Sequence, residues 1–340
     1  MPNHTMRALV HSQIPGPDGL RIQDVPRPRP AEGEVLVKVF AAGLNRHELF
    51  VIDQHNDSDG KIVGADAVGT IVETGIDAGQ ELAGNSVLIN PCLGWHNTDD
   101  VPEVPTILGG PIQGTFAEYV SIPADNVHPI PAHLSPTEAA ALPLAALTAY
   151  RALFTQGGVR AGEHVVINGA TGGAGVIAVA MATAAGAEVT AVTRDASKAE
   201  ALRAVGAAHV IVSGSDFDQR LHTPADVVLD SVGASMYPAV LHALRPGGRI
   251  VSFGATSSPD IELSLRDLFF RQISLRGTSM GSSEEFAHMI TFVSKHRIIP
   301  TIDTVCPLEE APETFRRMSI GSGVGKTVFT LSNETFPTHQ

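Results

Sequence analysis

The segment Gly169-Ala170-Thr171-Gly172-Gly173-Ala174-Gly175 holds the residue types in this sequence that bear most directly on chemistry. Glycines at this density let a chain turn tightly and let successive backbone N–H groups approach an anion, which the positive end of a following helix then stabilises. The flanks suit that use, because Val165-Val166-Ile167 reads as a buried strand and Val176 to Ala185 as an alanine-rich helix. Strand, glycine turn and helix in that order form a cradle for a dinucleotide pyrophosphate. In the Gly-x-Gly-x-x-Gly frame Ala170 takes the first position, with Gly172 and Gly175 in the other two. Contacts to the phosphates are therefore expected from Ala170, Thr171, Gly172, Gly173, Ala174 and Gly175. A tight turn without a ligand is the competing reading.

About 20 residues beyond such a turn, an acid normally closes the next strand and accepts the ribose 2′-hydroxyl of NAD. Here that strand ends Val192-Thr193-Arg194. Thr193 stands in the place of the acid, and the Arg194 guanidinium is a planar donor fork suited to a 2′-phosphate. The expected cofactor is NADP(H), with Lys198 adding positive charge. Asp195 is expected to cap the next helix instead of reaching a ribose.

These residues need a scaffold, and 340 residues are enough for two domains. With 43% hydrophobic and 17% charged residues, wholesale disorder is excluded. The formal charge of −13 would repel a phosphate backbone or an anionic membrane surface, so neither nucleic acid nor a membrane is an expected partner. Val165 to Ala187 carries no charge and is long enough to suggest a membrane span. Its five glycines and its strand-turn-helix pattern argue for the soluble reading. Two cysteines allow at most one disulfide, and Met1-Pro2-Asn3-His4-Thr5 has no basic patch leading into an apolar run, so a cytoplasmic location is expected.

Residues 1 to 125 contain short strand-like runs at Arg7 to His11, Leu20 to Val25, Glu34 to Ala41, Ala67 to Glu73, Ser86 to Asn90 and Phe116 to Ile122. Pro91 to Pro111 reads as an irregular surface lobe overhanging a cleft. Ser135-Pro136-Thr137-Glu138 signals a helix start, and Pro143 should break that helix. From Val165 to Phe253 strands and helices alternate, which predicts a doubly wound parallel sheet over 126–282. Ile273 to Met280 reads as its edge strand. The tail, 283–340, has the texture of the first domain and is expected to fold back onto it.

The order of several separated motifs resembles the medium-chain dehydrogenase/reductase superfamily over essentially the whole chain. They are Ala41-Ala42-Gly43-Leu44-Asn45, Gly64-Ala65-Asp66, Gly114 to Val120, Leu147-Thr148-Ala149-Tyr150, the glycine turn and Gly325-Lys326-Thr327-Val328. The resemblance implies an α/β fold: a β-rich GroES-like catalytic domain, a Rossmann domain and a cleft between them. Zinc alcohol dehydrogenases of this superfamily hold their metal at positions matching Asn45, Ala65 and Leu144, none of which is a tetrahedral zinc ligand here. Their four-cysteine structural lobe is also missing, and Cys92, His96 and His47 are unrelated loop residues. No metal is expected.

A cofactor turn without metal looks like the quinone oxidoreductase branch, which reduces quinones or α,β-unsaturated carbonyls with NADPH. Asn45 is then expected to donate to the oxygen that gains charge, with His47 as a proton donor at the position of the Ser or Thr relay of the zinc enzymes. Phe50 stands where many quinone oxidoreductases have a tyrosine. Arg46, Thr148 and Lys326 are implied cofactor contacts, as are the strand-end residues Ser231, Val232, Gly233, Phe253, Gly254, Ala255 and Thr278. Alternatives are metal-free reduction of aldehydes or enoyl thioesters, or a non-catalytic NADPH-binding redox sensor. A homodimer through Ile273 to Met280 is expected, with a tetramer left open.

Overall fold

The computed structural model describes residues 5–53, 60–212, 214–321 and 323–331. All of the N-terminal pentapeptide read above except Thr5 lies outside these residues. Two compact units emerge: residues 1–144 with 282–322 and 326–340, and residues 145–281 with 323–325.

In the first unit the elements run β1 Thr5–His11, β2 Leu20–Pro26, β3 Glu34–Leu44, α1 Arg46–Asp53, β4 Lys61–Ile62, β5 Val68–Thr74 and β6 Ser86–Ile89. They continue with β7 Cys92–Leu93, β8 Thr106–Ile107, β9 Tyr119–Pro123, β10 Val127–Pro129 and α2 Pro136–Ala140. The long central strand is β3, which pairs antiparallel with β5, β9 and the late strand Lys326–Thr330. Its apolar residues face a core containing Phe116, Phe315 and Phe329, whose rings meet edge to face, with Phe116 and Phe329 centroids 5.2 Å apart. Thr5–His11 forms a separate three-stranded sheet with β2 and β4.

The compositional boundary at 125 differs from the packing. Val127–Pro129 pairs with β6, so residues up to Leu144 belong to the first unit. The Ser135 capping box forms as its sequence requires, with Glu138 N donating to Ser135 Oγ and Glu138 Oε2 accepting from Ser135 N. A new helix, α3 Pro143–Tyr150, starts at the proline.

In the second unit β11 His164–Asn168, β12 Glu188–Thr193, β13 His209–Val212, β14 Ala225–Asp230, β15 Leu244–Ser252 and β16 Ser274–Gly277 form one parallel sheet. Its order is β13-β12-β11-β14-β15-β16. Helices α4 Gly173–Ala184, α5 Ala199–Ala204, α6 Tyr237–Ala243 and α7 Leu265–Phe270 fall between the strands. Strand β11 is buried along its whole length, as a central parallel strand must be. The chain re-enters the first unit with α8 Ser283–His296, β17 Ile302–Pro307, α9 Ala311–Ile320 and β18 Lys326–Thr330. This α/β combination is the fold class that the motif order implies.

The Pro91 to Pro111 lobe is not the loose surface feature its composition suggests. Strands β7 and β8 pair within it, and Trp95 is buried with Nε1 donating to Asn97 O at 2.8 Å. Trp95 O and His96 O accept the first N–H groups of α8, from Ser283 at 2.8 Å and Glu284 at 3.2 Å. Thr98 in turn donates to Glu284 Oε2 from N and from Oγ1. A helix start has orphan donors, and here the lobe supplies their acceptors.

Candidate active site

In the first unit, strand β3 ends at Leu44 and α1 begins at Arg46, leaving Asn45 at the junction. Three residues on, Glu48 returns Oε2 to the Asn45 N–H at 2.6 Å, the reciprocal half of a capping box. Glu48 Oε1 also accepts from Ala65 N at 3.0 Å. The Asn45 amide nitrogen donates to Asp66 Oδ2 at 3.0 Å, while Leu144 N donates to Asp66 Oδ1 at 2.8 Å. Lys326, from the first position of β18, places its ammonium against Asn45 Oδ1 and 3.0 Å from Asp66 Oδ2. All four side chains are buried.

Burial pushes the Glu48 carboxyl up to about 7; Lys326 opposes that shift and Asp66 adds to it. His47, on the first turn of α1, has its Nε2 buried with no hydrogen-bond partner, and a Cβ built on Gly110 would lie 3.6 Å from it. Burial holds the His47 imidazole below its ordinary range, with Asp66 working in the other direction. Its ring is therefore neutral at pH 7 and offers an unassigned nitrogen.

One residue expected at this site needs correction, and two more are placed by the structure. The Asn45 amide has its oxygen on Lys326 and its nitrogen on Asp66, with longer 3.4 Å contacts to Glu48 Oε1 and Gly43 O, so it is not an open donor. Lys326 lies inside the same network, its ammonium 3.0 Å from Asp66 Oδ2. Arg46 is exposed and has no place in the cluster. Conversely Glu48 and Asp66 join the site unannounced, although Asn45-x-x-Glu48 has the spacing of a helix start and Gly64-Ala65-Asp66 is one of the resemblance motifs. The oxygens that face one another here already hold an ammonium, and Ala65 and Leu144 contribute only backbone N–H groups. That donor set does not fit a tetrahedral zinc ion.

In the second unit, register pairs Asn168 with Val192 and Asp230, Asp230 with Ser252, and Ser252 with Gly277. The loops after these strands therefore leave one carboxyl edge, where α/β sheets bind ligands. Gly169 turns the chain at φ 81°, and a Cβ there would meet Ser231 Oγ at 2.4 Å. A Cβ on Gly175 would meet Gly169 O at 2.3 Å, so this glycine sets the close packing of helix on strand. Gly172 precedes α4 with no side-chain cap, and a Cβ on it would find nothing nearer than Gly169 O at 3.7 Å. The first N–H groups of α4 thus face a space that protein side chains leave to a ligand, which fits a nicotinamide dinucleotide.

The β14 loop is held by buried Asp230, whose carboxylate accepts from Asn168 Nδ2 at 2.7 Å and from Val232 N and Gly233 N at 3.1 Å each. Burial raises its pKa against these bonds. Phe253 N donates to Asp230 O, which ties the next loop to it, while Gly254 and Ala255 stay exposed. Thr278 N donates to Ser252 O, and its Oγ1 is buried without a partner. Thr148 is buried on α3. At the end of β12, Thr193 is buried, Arg194 is exposed and Lys198 is half-buried. Asp195 accepts from Ser197 N at 2.9 Å and Ser197 Oγ at 2.7 Å, the capping role its position suggests.

Comparison with known proteins finds two family matches: alcohol dehydrogenase GroES-like domain over residues 31–132 and zinc-binding dehydrogenase over 173–295. A zinc-type alcohol dehydrogenase-like protein of Leptosphaeria maculans is 31% identical over 308 residues, covering 83% of this chain and 85% of that protein. A quinone oxidoreductase of Mus musculus is 28% identical, covering 96% and 98%. The crystal structure of an NAD-dependent alcohol dehydrogenase superposes with a TM-score of 0.90 at 32% identity, covering 96% of this chain and all of that one.

Proposed function

From membership of the medium-chain dehydrogenase/reductase superfamily, to which this chain belongs, we propose that the protein is a zinc-independent, NADPH-dependent reductase of quinones or α,β-unsaturated carbonyls. The observation that carries the reading is the Lys326 ammonium seated on Asn45 Oδ1 and Asp66 Oδ2, beside the positions where zinc dehydrogenases of the superfamily bind metal. A fixed ammonium offers charge but no coordination site for a substrate oxygen. Such a site suits an acceptor that takes hydride at carbon and spreads the resulting charge to a conjugated oxygen. The nicotinamide, when bound, supplies that hydride. His47 Nε2, buried and unpartnered, is the group available to hydrogen-bond the oxygen and to pass it a proton taken up from water. Asn45 acts as a positioning residue that joins the start of α1 to Lys326 and Asp66.

NADPH over NADH is supported by the second unit: Thr193 closes the strand where an acid would meet a ribose hydroxyl, the neighbouring Asp195 is committed to Ser197, and Arg194 is exposed at the strand end. A homodimer pairs the edge strand β16, whose four residues are all exposed, with its two-fold copy. Leu265, Phe269 and Phe270 on α7 expose 61–69% of their surface beside it. A cytoplasmic location is part of the proposal, supported by Cys92 and Cys306 not being joined in a disulfide.

The test is NADPH oxidation by the purified protein across quinone, enone, aldehyde and enoyl-thioester panels, with and without EDTA. Turnover of quinones or enones that EDTA leaves unchanged is the expected result. Inactivity on both, turnover confined to aldehydes or thioesters, or loss of activity with EDTA overturns it.

A further inference from the structure

The amino edge of the second unit's parallel sheet, opposite the edge that carries the glycine turn, holds a cluster that the proposed reaction does not use. Register in β11, β12 and β13 pairs His164 with Glu188 and Thr190 with His209. Residues two apart on a strand share a face, so His164, Glu188, Thr190 and His209 all project from the same side of the sheet. His222, in the connection entering β14, joins them. Glu188 Oε1 lies 3.0 Å from His209 Nε2 and 3.0 Å from His222 Nε2, and the two imidazole centroids are 4.2 Å apart. All three candidate ligand atoms lie within 4.8 Å of one another. Among the described residues this is the one grouping of three His, Cys, Asp or Glu side chains with that convergence.

We propose that Glu188, His209 and His222 form a binding site for a divalent transition metal of the zinc class. Tetrahedral zinc with bonds of about 2.0–2.1 Å to nitrogen and oxygen sets its ligand atoms about 3.3 Å apart. Both N···O separations are close to that spacing, and the two imidazole nitrogens, within 4.8 Å of each other, belong to exposed rings that can turn toward a common ion. Two imidazoles and one carboxylate select zinc, cobalt, nickel or copper over calcium or magnesium, which prefer all-oxygen shells. Three protein ligands leave one position to water. The buried neighbour His164 is not a fourth ligand, because its Nε2 is committed to Thr190 Oγ1 at 2.7 Å.

Two of the ligands are the first residues of adjacent strands and so are positioned by the sheet before any ion arrives. β13 is the outermost strand on its side of the sheet. An ion here ties that strand to β12 and to the entry of β14, acting as a staple across the sheet edge. The inference is independent of the proposed reaction.

The test uses the full chain, stripped with chelator and titrated with Zn²⁺ alone by calorimetry, and with Co²⁺ by visible absorption. One equivalent bound per chain is expected, with tetrahedral Co²⁺ bands and a melting temperature raised by on the order of 5 °C at saturating metal. His209→Gln and His222→Gln should each weaken Zn²⁺ binding by more than roughly 100-fold, since even outer partners of metal ligands are worth roughly 10–100-fold. A His288→Gln control, at an exposed histidine of α8, should leave binding intact. Circular dichroism confirms that each variant is folded. Absence of a stoichiometric site in the parent chain, or a site that survives in the His209→Gln/His222→Gln double variant, overturns the proposal.

Discussion

Glu48 and Asp66 are two acids in one buried network with a single ammonium, and burial, with a smaller push from Asp66 and against the pull of Lys326, raises the Glu48 carboxyl to about 7. Its folded pKa lies above its ordinary 4.5, so the native state holds the extra proton and this group's contribution to stability falls as pH rises from about 4.5 through about 7. The loss across that window is on the order of 3 kcal/mol. Glu48→Gln should flatten the slope, although it costs some stability by placing an amide against Asn45 N or Ala65 N. Urea unfolding of both proteins at pH 5 and pH 8 measures it, and equal slopes would refute the assignment. Lys326→Met leaves Asp66 as a buried carboxylate without its cation and should cost about 3–5 kcal/mol, read as a fall in melting temperature. Adding Asp66→Asn should recover part of that loss, because the two side chains are coupled. For His47→Gln the proposed reaction predicts a fall in kcat of roughly 100-fold or more with the NADPH affinity unchanged. An unaltered kcat removes His47 from the chemistry.

Helix α4 offers a contrast between two glycines three residues apart. Gly172→Ala meets only ordinary contact in the protein and keeps an allowed backbone at φ −70°, so stability should hold. Its methyl enters the space left for the pyrophosphate, and the Kd for NADPH should rise at least roughly tenfold. Gly175→Ala instead drives a methyl into Gly169 O and Ala170 Cα, so the fold itself should lose about 1–3 kcal/mol or more. Thermal melts beside fluorescence titration with NADPH separate the two outcomes; identical behaviour of the variants would contradict the cradle. Trp95 gives the lobe a similar test, because it is buried where Trp95 O and His96 O accept the first N–H groups of α8. Trp95→Ala should cost about 3–5 kcal/mol. A surface lobe would scarcely register the change.

For the whole molecule, the assembly to test is the proposed association of two copies of this acidic chain of formal charge −13. The proposed homodimer buries β16 and the exposed Leu265, Phe269 and Phe270 of α7 against their copies. Phe269→Glu/Phe270→Glu should therefore halve the mass seen by light scattering after size-exclusion, with the melting of the subunit little changed. A parent chain that is already monomeric, or a variant of unchanged mass, would place the interface elsewhere.

Much of this was legible along the chain because it rests on short-range rules. The glycine turn needs only a strand before it and a helix after it, the Ser135 capping box needs four residues, and parallel strands announce themselves by uninterrupted Val and Ile runs such as Val165-Val166-Ile167. Asp195 could be assigned to capping on local grounds for the same reason. What the linear order hid was partnership at a distance. Lys326 meets Asn45 and Asp66 only because β18 pairs with β3 in a register that sets Thr327 opposite Leu44. Residues 126–144 join the first unit through a strand pairing that composition does not reveal. The lobe became an anchored cap because the start of α8, far away in sequence, needed acceptors for its N–H groups. Glu188, His209 and His222 converge only once three strands align at one edge. Local conformation follows from adjacent side chains, whereas the pairing of buried charges depends on which surfaces the folded chain brings face to face.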